Sequence, residues 1–363
     1  MGYPMTTRLK HLQAGLSMIE LMVGMTIGLI GTVIISSALV SNEDFKRRTT
    51  STSDAQINGT LALYAIERDL RMAGFGFANT NAFGCSNVTY SHTSFSGAYP
   101  TWGLLPSVIT DGGAVSAGAT ASDSIRLVYA TEVARSTAGV LAATQAAGAA
   151  SFSLVDTTGF NGSVTTRGDL VVAVSGTTCS LHQVTALAGT TVNTASGTAP
   201  FNGTASPGYA SGAYLFNLGL PVVRSYSVGT NQSLQMLDVF ATSSSNSAPS
   251  VSSTPTTITS GIVDLQAQYG LDTNGDLIID SYSNTTPTTA AGWAQVLAVR
   301  VAVLVRAGTY IRPDTPGGAC SATTTAPSWS GGTHYMSDGL PSCYKYRSFE
   351  TVVPLRNMIW KEA

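Results

Sequence analysis

The densest chemistry in this chain lies at Asp272-Thr273-Asn274-Gly275-Asp276-Leu277-Ile278-Ile279-Asp280. Asp272, Asn274, Asp276 and Asp280 place side-chain oxygens at positions 1, 3, 5 and 9 of a short loop, and the carbonyl of Ile278 falls at position 7. That is the donor set a hard cation such as Ca²⁺ selects. Two departures separate it from an EF-hand: Leu277 stands where glycine makes the sharp turn, and Ser283 stands where a bidentate glutamate belongs. Asn274-Gly275 is also a hairpin-turn dipeptide, so a plain turn competes with a cation loop. The four cysteines, Cys85, Cys179, Cys320 and Cys343, contain no C-x-x-C, which argues against zinc or thioredoxin-like chemistry. An even count in an exported domain predicts two disulfides out of three possible pairings, with free buried thiols as the alternative. Cys320–Cys343 with Cys85–Cys179 is favoured, because the first closes a Gly/Ser/Thr-rich loop that lacks an obvious core. His92, His182 and His334 are far apart in sequence, with no metal-ligand spacing and no nucleophile motif beside them. Walker A, HExxH and G-x-S-x-G patterns are missing from the sequence. Nothing here asks for an enzyme.

One more acid stands alone. Glu20 sits at the edge of residues 21–40, a run without a single charge. Twenty helical residues rise roughly 30 Å, the thickness of a bilayer's hydrocarbon core. A carboxylate at a membrane edge costs free energy and usually has a partner. Before the run lies a short polar leader, residues 1–15, with Arg8 and Lys10. A secretory signal peptide would have a shorter apolar core and an A-x-A site, and Ser36-Ser37-Ala38 is a weak imitation of one. A signal anchor explains the basic leader and the length, with positive charge held on the cytoplasmic side, but leaves Glu20 unexplained.

The elements that must position these groups follow from periodicity. A helix is expected over residues 16–73, with Gly74 as its stop. Gly24 and Gly28 form a G-x-x-x-G that lets apolar helices approach closely. Beyond residue 40 the pattern turns amphipathic: Ile57, Leu61 and Tyr64 recur at helical spacing, as do Leu63, Ile66, Leu70 and Ala73. Glu67 and Arg71 make a favourable i,i+4 pair. Residues 49–53, rich in Ser and Thr, are where a bend or break is expected. Gly74-x-Gly76 is no dinucleotide loop, because a helix precedes it where a strand is required.

The remainder reads as strands and loops. Strands are expected at 124–129, 169–174, 181–187, 262–271 and 346–355, with a hairpin of 222–228 and 234–240 around residues 229–232. Residues 138–150 fit a loop or a short helix, and residues 242–260, with Pro249 and Pro255, read as a flexible excursion. The clearest strand is 296–306: Leu297, Val299, Val301, Val303 and Val305 share one face, which predicts a central strand packed on the second half of the helix. Trp329 and Tyr335 are expected on the surface of the loop that precedes the last strand. With 363 residues, 10% charged side chains and a net charge of −2, the chain has room for a large head and no electrostatic reason to bind nucleic acid.

Gly15-Leu16-Ser17-Met18-Ile19-Glu20 resembles the class III signal of type IV prepilins and pseudopilins. Asp54-Ala55-Gln56-Ile57-Asn58-Gly59, Glu67-Arg68-Asp69-Leu70-Arg71-Met72-Ala73-Gly74-Phe75-Gly76 and residues 347–357 resemble the PilW-type minor pilins. The first resemblance implies prepilin-peptidase cleavage between Gly15 and Leu16, methylation of the new Leu16 amine, and pairing of Glu20 with the amine of a neighbouring subunit. Opposite charges in apolar surroundings attract far more strongly than in water, which fits that role. Leu16 stands where phenylalanine is usual and Ser37 near where many major pilins have proline, which argues mildly against a major pilin. The resemblance further implies an α+β, type IV pilin-like fold, with a long N-terminal helix packed on an antiparallel sheet with extended loops. Its parts would be a leader (1–15), a membrane or filament-core half-helix (16–40), an exported half-helix (41–74) and a β-rich head (75–363). The implied function is a minor pilin in type IV pilus assembly and priming. It would stand in the inner membrane with a periplasmic head, then in the extracellular pilus, in contact with other minor pilins, the major pilin and a pilus-tip adhesin. A minor pseudopilin of a type II secretion system and an uncleaved, membrane-anchored ligand- or Ca²⁺-binding domain are the rival readings.

Overall fold

The computed structural model describes residues 15, 17–77, 79–116, 119–131, 138–162, 168–195, 199–241, 249–313, 315, 317–336 and 339–359. Leu16, residues 1–14 of the leader and residues 242–248 lie outside them. The chain divides into two units, Met1–Thr52 and Ser53–Ala363.

A helix runs from Met18 to Leu70 without interruption. The expected break at residues 49–53 does not occur. Thr49 and Thr52 turn their hydroxyls back onto the carbonyls of Phe45 and Arg48 at 2.9 and 2.8 Å, which satisfies these side chains within the helix. After Leu70 the chain tightens into turns, and Gly74 takes φ 80°, the left-handed conformation that ends helices.

In the second unit, one antiparallel sheet has the order Ser281–Ser283, Ile262–Leu271, Val296–Arg306, Tyr346–Pro354. The expected central strand is therefore interior. Val299, Val301, Val303 and Val305 are buried in a core shared with Ala62, Ile66 and Leu70 of the helix. Its other face is buried too: Leu304 packs with Val263 and Met336 under the 326–336 segment. Alternation alone could not show that second cover.

A second antiparallel sheet has the order Ser107–Thr110, Ser124–Ala130, Pro221–Gly229, Ser233–Asp238, Thr256–Ser260. The predicted hairpin is present, with Gln232 at φ 54° in its turn. Thr256–Ser260 corrects the reading of 242–260 as an excursion, since it forms an edge strand on Ser233–Asp238. A third sheet joins Gly139–Val140, Tyr214–Gly219, Leu170–Ser175 and Thr178–Gln183 over a separate core around Phe152, Val171 and Leu215. The sequence placed the strand at 169–174 but not this second core. The fold is α+β, as expected, and both favoured disulfides, Cys85–Cys179 and Cys320–Cys343, are formed.

Candidate functional site

At the amino end, Ser17 and Glu20 satisfy each other. The Ser17 N–H donates to Glu20 Oε2 at 3.1 Å, and the Glu20 N–H donates to Ser17 Oγ at 3.1 Å. This reciprocal pair is a capping box, which ties down two of the donors that a helix start leaves open. Its sequence signal is the S-x-x-E spacing of Ser17 and Glu20. The carboxylate is exposed, so it combines a local role with availability to a second chain. From there to residue 42 no side chain carries a charge, and Thr26, Thr32 and Ser37 return their hydroxyls to the carbonyls of Val23, Leu29 and Ile34. Internal satisfaction of such groups is what an apolar surrounding requires. Large apolar side chains here are exposed by between 48% (Leu21) and 66% (Leu29), far beyond what a solvated helix shows to water. The helix is long and apolar enough to cross a membrane. A side chain added at Gly24 or Gly28 would meet nothing within 4 Å.

The second half of the helix is held differently. Asp69, 1% exposed, receives Arg224 Nη1 at 3.0 Å and the Tyr226 hydroxyl at 2.7 Å. Arg224 also bonds Asp238 at 2.9 Å. Burial works against the charge on Arg224, but Asp69 and Asp238 outweigh it and hold the guanidinium above its ordinary value. Burial, reinforced by Asp69, pushes the Tyr129 hydroxyl up to about 12 and also raises Tyr226. Asp69 is thus enclosed by the head, while Glu67–Arg71 is the expected i,i+4 pair. Two motifs far apart in sequence meet here. A Cβ on Gly59 would collide with the Phe349 ring. The Asn357 amide donates to the carbonyls of Met72 and Ala73 at 3.1 and 3.0 Å, closing the open end of the helix. Of the two helical stripes read from the sequence, Ile66, Leu70 and Ala73 are buried, whereas Ile57, Leu61 and Tyr64 are exposed.

The 272–280 loop gathers its predicted residues through hydrogen bonds of its own, the Asn274 amide donating to Asp276 Oδ2 at 3.3 Å and to Asp280 Oδ1 at 3.4 Å. Asp272 Oδ1 accepts from the N–H groups of Asn274 and Gly275, and Oδ2 accepts from Leu277. Asp280 is engaged by Thr273 through its N–H and hydroxyl, both at 2.7 Å. Burial pushes the Asp272 carboxyl up, but those N–H groups together hold it below the usual range. Asp276 accepts from the Ile278 N–H, and Leu277 makes the sharp turn itself, at φ 66°. Among the described residues no three His, Cys, Asp or Glu are grouped to hold a metal. Calcium at Asp272, Asn274, Asp276, the Ile278 carbonyl and Asp280 is therefore not supported; the loop's own backbone and side-chain donors satisfy these acids.

The histidines sit in separate environments. His92 Nδ1 accepts the Ser94 N–H at 3.2 Å. His182 pairs with Ser180 Oγ at 2.7 Å, and burial pushes it down to about 4. His334, closed off from solvent, links Asp264 Oδ2 and Ser348 Oγ, both at 2.8 Å. Asp264, Leu304 and Ser348 are direct cross-strand neighbours. His334 thus pins the 326–336 segment across three strands, a link between distant positions that sequence spacing could not reveal.

Residues 225–357 match the family described as type IV pilus-assembly protein W, and residues 10–36 match the prokaryotic N-terminal methylation motif. A type IV-like pilin from Thermus thermophilus aligns over 82% of this chain and 95% of its own length, at 10% identity and a TM-score of 0.30. So loose a superposition adds nothing to the fold described above. No curated protein matches the chain.

Proposed function

We propose that this chain, a PilW-type minor pilin of the type IV pilus as its two matched families indicate, is cut between Gly15 and Leu16 and methylated on Leu16 before assembly. In this reading the apolar half-helix waits in the inner membrane with its head on the periplasmic side. It then leaves the bilayer to pack among the helices of other pilins, the major pilin included, in a priming complex and at the pilus tip beside an adhesin. The observation that carries it is the exposed, charge-free helix stretch with one accessible carboxylate, Glu20, at its amino end. Such a surface is stable only when lipid or like helices cover it. Glu20 would trade its Ser17 contact for the methylated amine of a neighbour, a stronger, charge-assisted bond. The exposed stripe Ile57, Leu61 and Tyr64 would meet adjacent subunits.

The test is intact mass of the mature membrane form together with Glu20→Ala in cells. The expected result is a chain beginning at Leu16 with one added methyl, and a variant that is processed yet poorly incorporated into pili. A mature chain that retains residues 1–15, or normal piliation with the variant, would sink the reading.

A further inference from the structure

Behind the 328–333 hairpin lies a cavity of about 110 Å³, bordered by Asp123, Gln266, Gln268, Asn284, Trp329 and Gly331 among others. It is well under the roughly 300–1,000 Å³ of drug-sized sites, so it suits a group of a few atoms. Its rim residues Asn284 and Gly331 are exposed, whereas Asp123 on its wall is 3% exposed. Asp123 accepts the N–H groups of Gly112 and Ala267 at 3.1 and 2.8 Å, and among the described residues it has no ion-pair partner. A buried carboxylate without a counter-charge is expensive, and each of its oxygens retains accepting capacity. Burial pushes this carboxyl up to about 6, and the nearby Asp111 and Asp264 add to the effect. Of the basic groups near the cavity, Arg300 stands behind Gln268 but faces Glu350 at 3.4 Å, and His334 is taken by Asp264. Acidic charge is therefore left over at the wall, beside an aromatic ring.

We propose that this cavity binds an alkylammonium group, with Asp123 as its counter-ion and Trp329 as its aromatic wall. A carboxylate supplies a charge-assisted acceptor, an indole face attracts cations, and the Gln268 and Asn284 amide oxygens can take further N–H donors. The group is either the side chain of a lysine on another protein or a free amine; the two share this chemistry.

The experiment is saturation-transfer NMR on the detergent-solubilised full chain, with n-butylammonium, Nα-acetyl-lysine methylamide, n-butanol and glucose as probes. Butylammonium is expected to bind on the order of tenfold more tightly than butanol, the gain of one charge-assisted bond. Asp123→Asn removes that preference. Trp329→Ala, which leaves the Asp123 hydrogen bonds in place, weakens butylammonium severalfold and keeps the test decisive if Asp123→Asn lowers the melting temperature. Lysine amide binding as well as butylammonium assigns the site to a protein-borne lysine, and much weaker binding assigns it to a free amine. Equal binding of butanol, preference for glucose, indifference to both substitutions, or no binding at all overturns the proposal.

Discussion

Residues 18–50 and residues 53–70 belong to one unbroken helix, yet their side chains meet opposite conditions. In the first stretch the apolar residues point outward all round, and glycines stand with nothing near them. In the second, Ala55, Ala62, Ile66 and Leu70 form a buried stripe, Gly59 is pressed by an aromatic ring, and Asp69 is enclosed by Arg224 and two tyrosines. Helical periodicity gives both stretches the same backbone. Patterning decides the partner: a helix that is apolar on every side needs lipid or other helices, while an amphipathic one can seat on its own sheet.

Breaking the seat should have the largest effect. Asp69→Ala leaves Arg224 buried beside Asp238 alone and is expected to cost roughly 3–5 kcal/mol of head stability, the range for breaking a buried pair. Leu29→Ala in the first stretch should leave the head's melting temperature unchanged, and thermal unfolding of both variants makes the contrast. The same substitution on two glycines sharpens it. Gly59→Ala forces a Cβ against Phe349 and should cost about 1–3 kcal/mol, as overpacking does. Gly24→Ala should leave melting unchanged and appear only as reduced assembly. If Gly59→Ala melts as the wild type does, the two stretches are not held as differently as their contacts indicate.

Titration distinguishes the head as well. His182 is depressed to about 4 by burial, so acidification from pH 6.5 to 4 protonates the unfolded chain first and stability falls. Asp123, raised to about 6 by burial, works in the opposite direction: between about pH 6 and 4 the folded chain takes the proton first, and stability rises as pH falls. Asp123→Asn should therefore steepen the loss of stability on acidification through that window, read as melting temperature against pH. The smallest effects belong to the 272–280 loop. Leu277→Gly relieves a left-handed residue but loosens the unfolded chain, a net change of under about 1 kcal/mol. Chelating Ca²⁺ should not move the melting temperature of either form, and a drop would restore the cation shell.

The amino acid order by itself determined the long helix, its charge-free stretch with Glu20 at the edge and the interior strand 296–306, while it favoured the disulfide pairing that forms without excluding the other two. Each is a local period or a count of residue types, and a period fixes which face of an element is apolar. The S-x-x-E box at Ser17 and Glu20 is equally local. Only the tertiary structure decided that Asp69 is enclosed while Glu67 is not, that Gly59 faces Phe349 and Asn357 closes the helix, and that the acids of the 272–280 loop turn to donors of the loop itself. It alone linked His334 to Asp264 and Ser348, and set Asp123 against a cavity. Those outcomes depend on which distant strand arrives opposite a given side chain. Burial and hydrogen bonding are properties of that meeting, and spacing along the chain does not encode it.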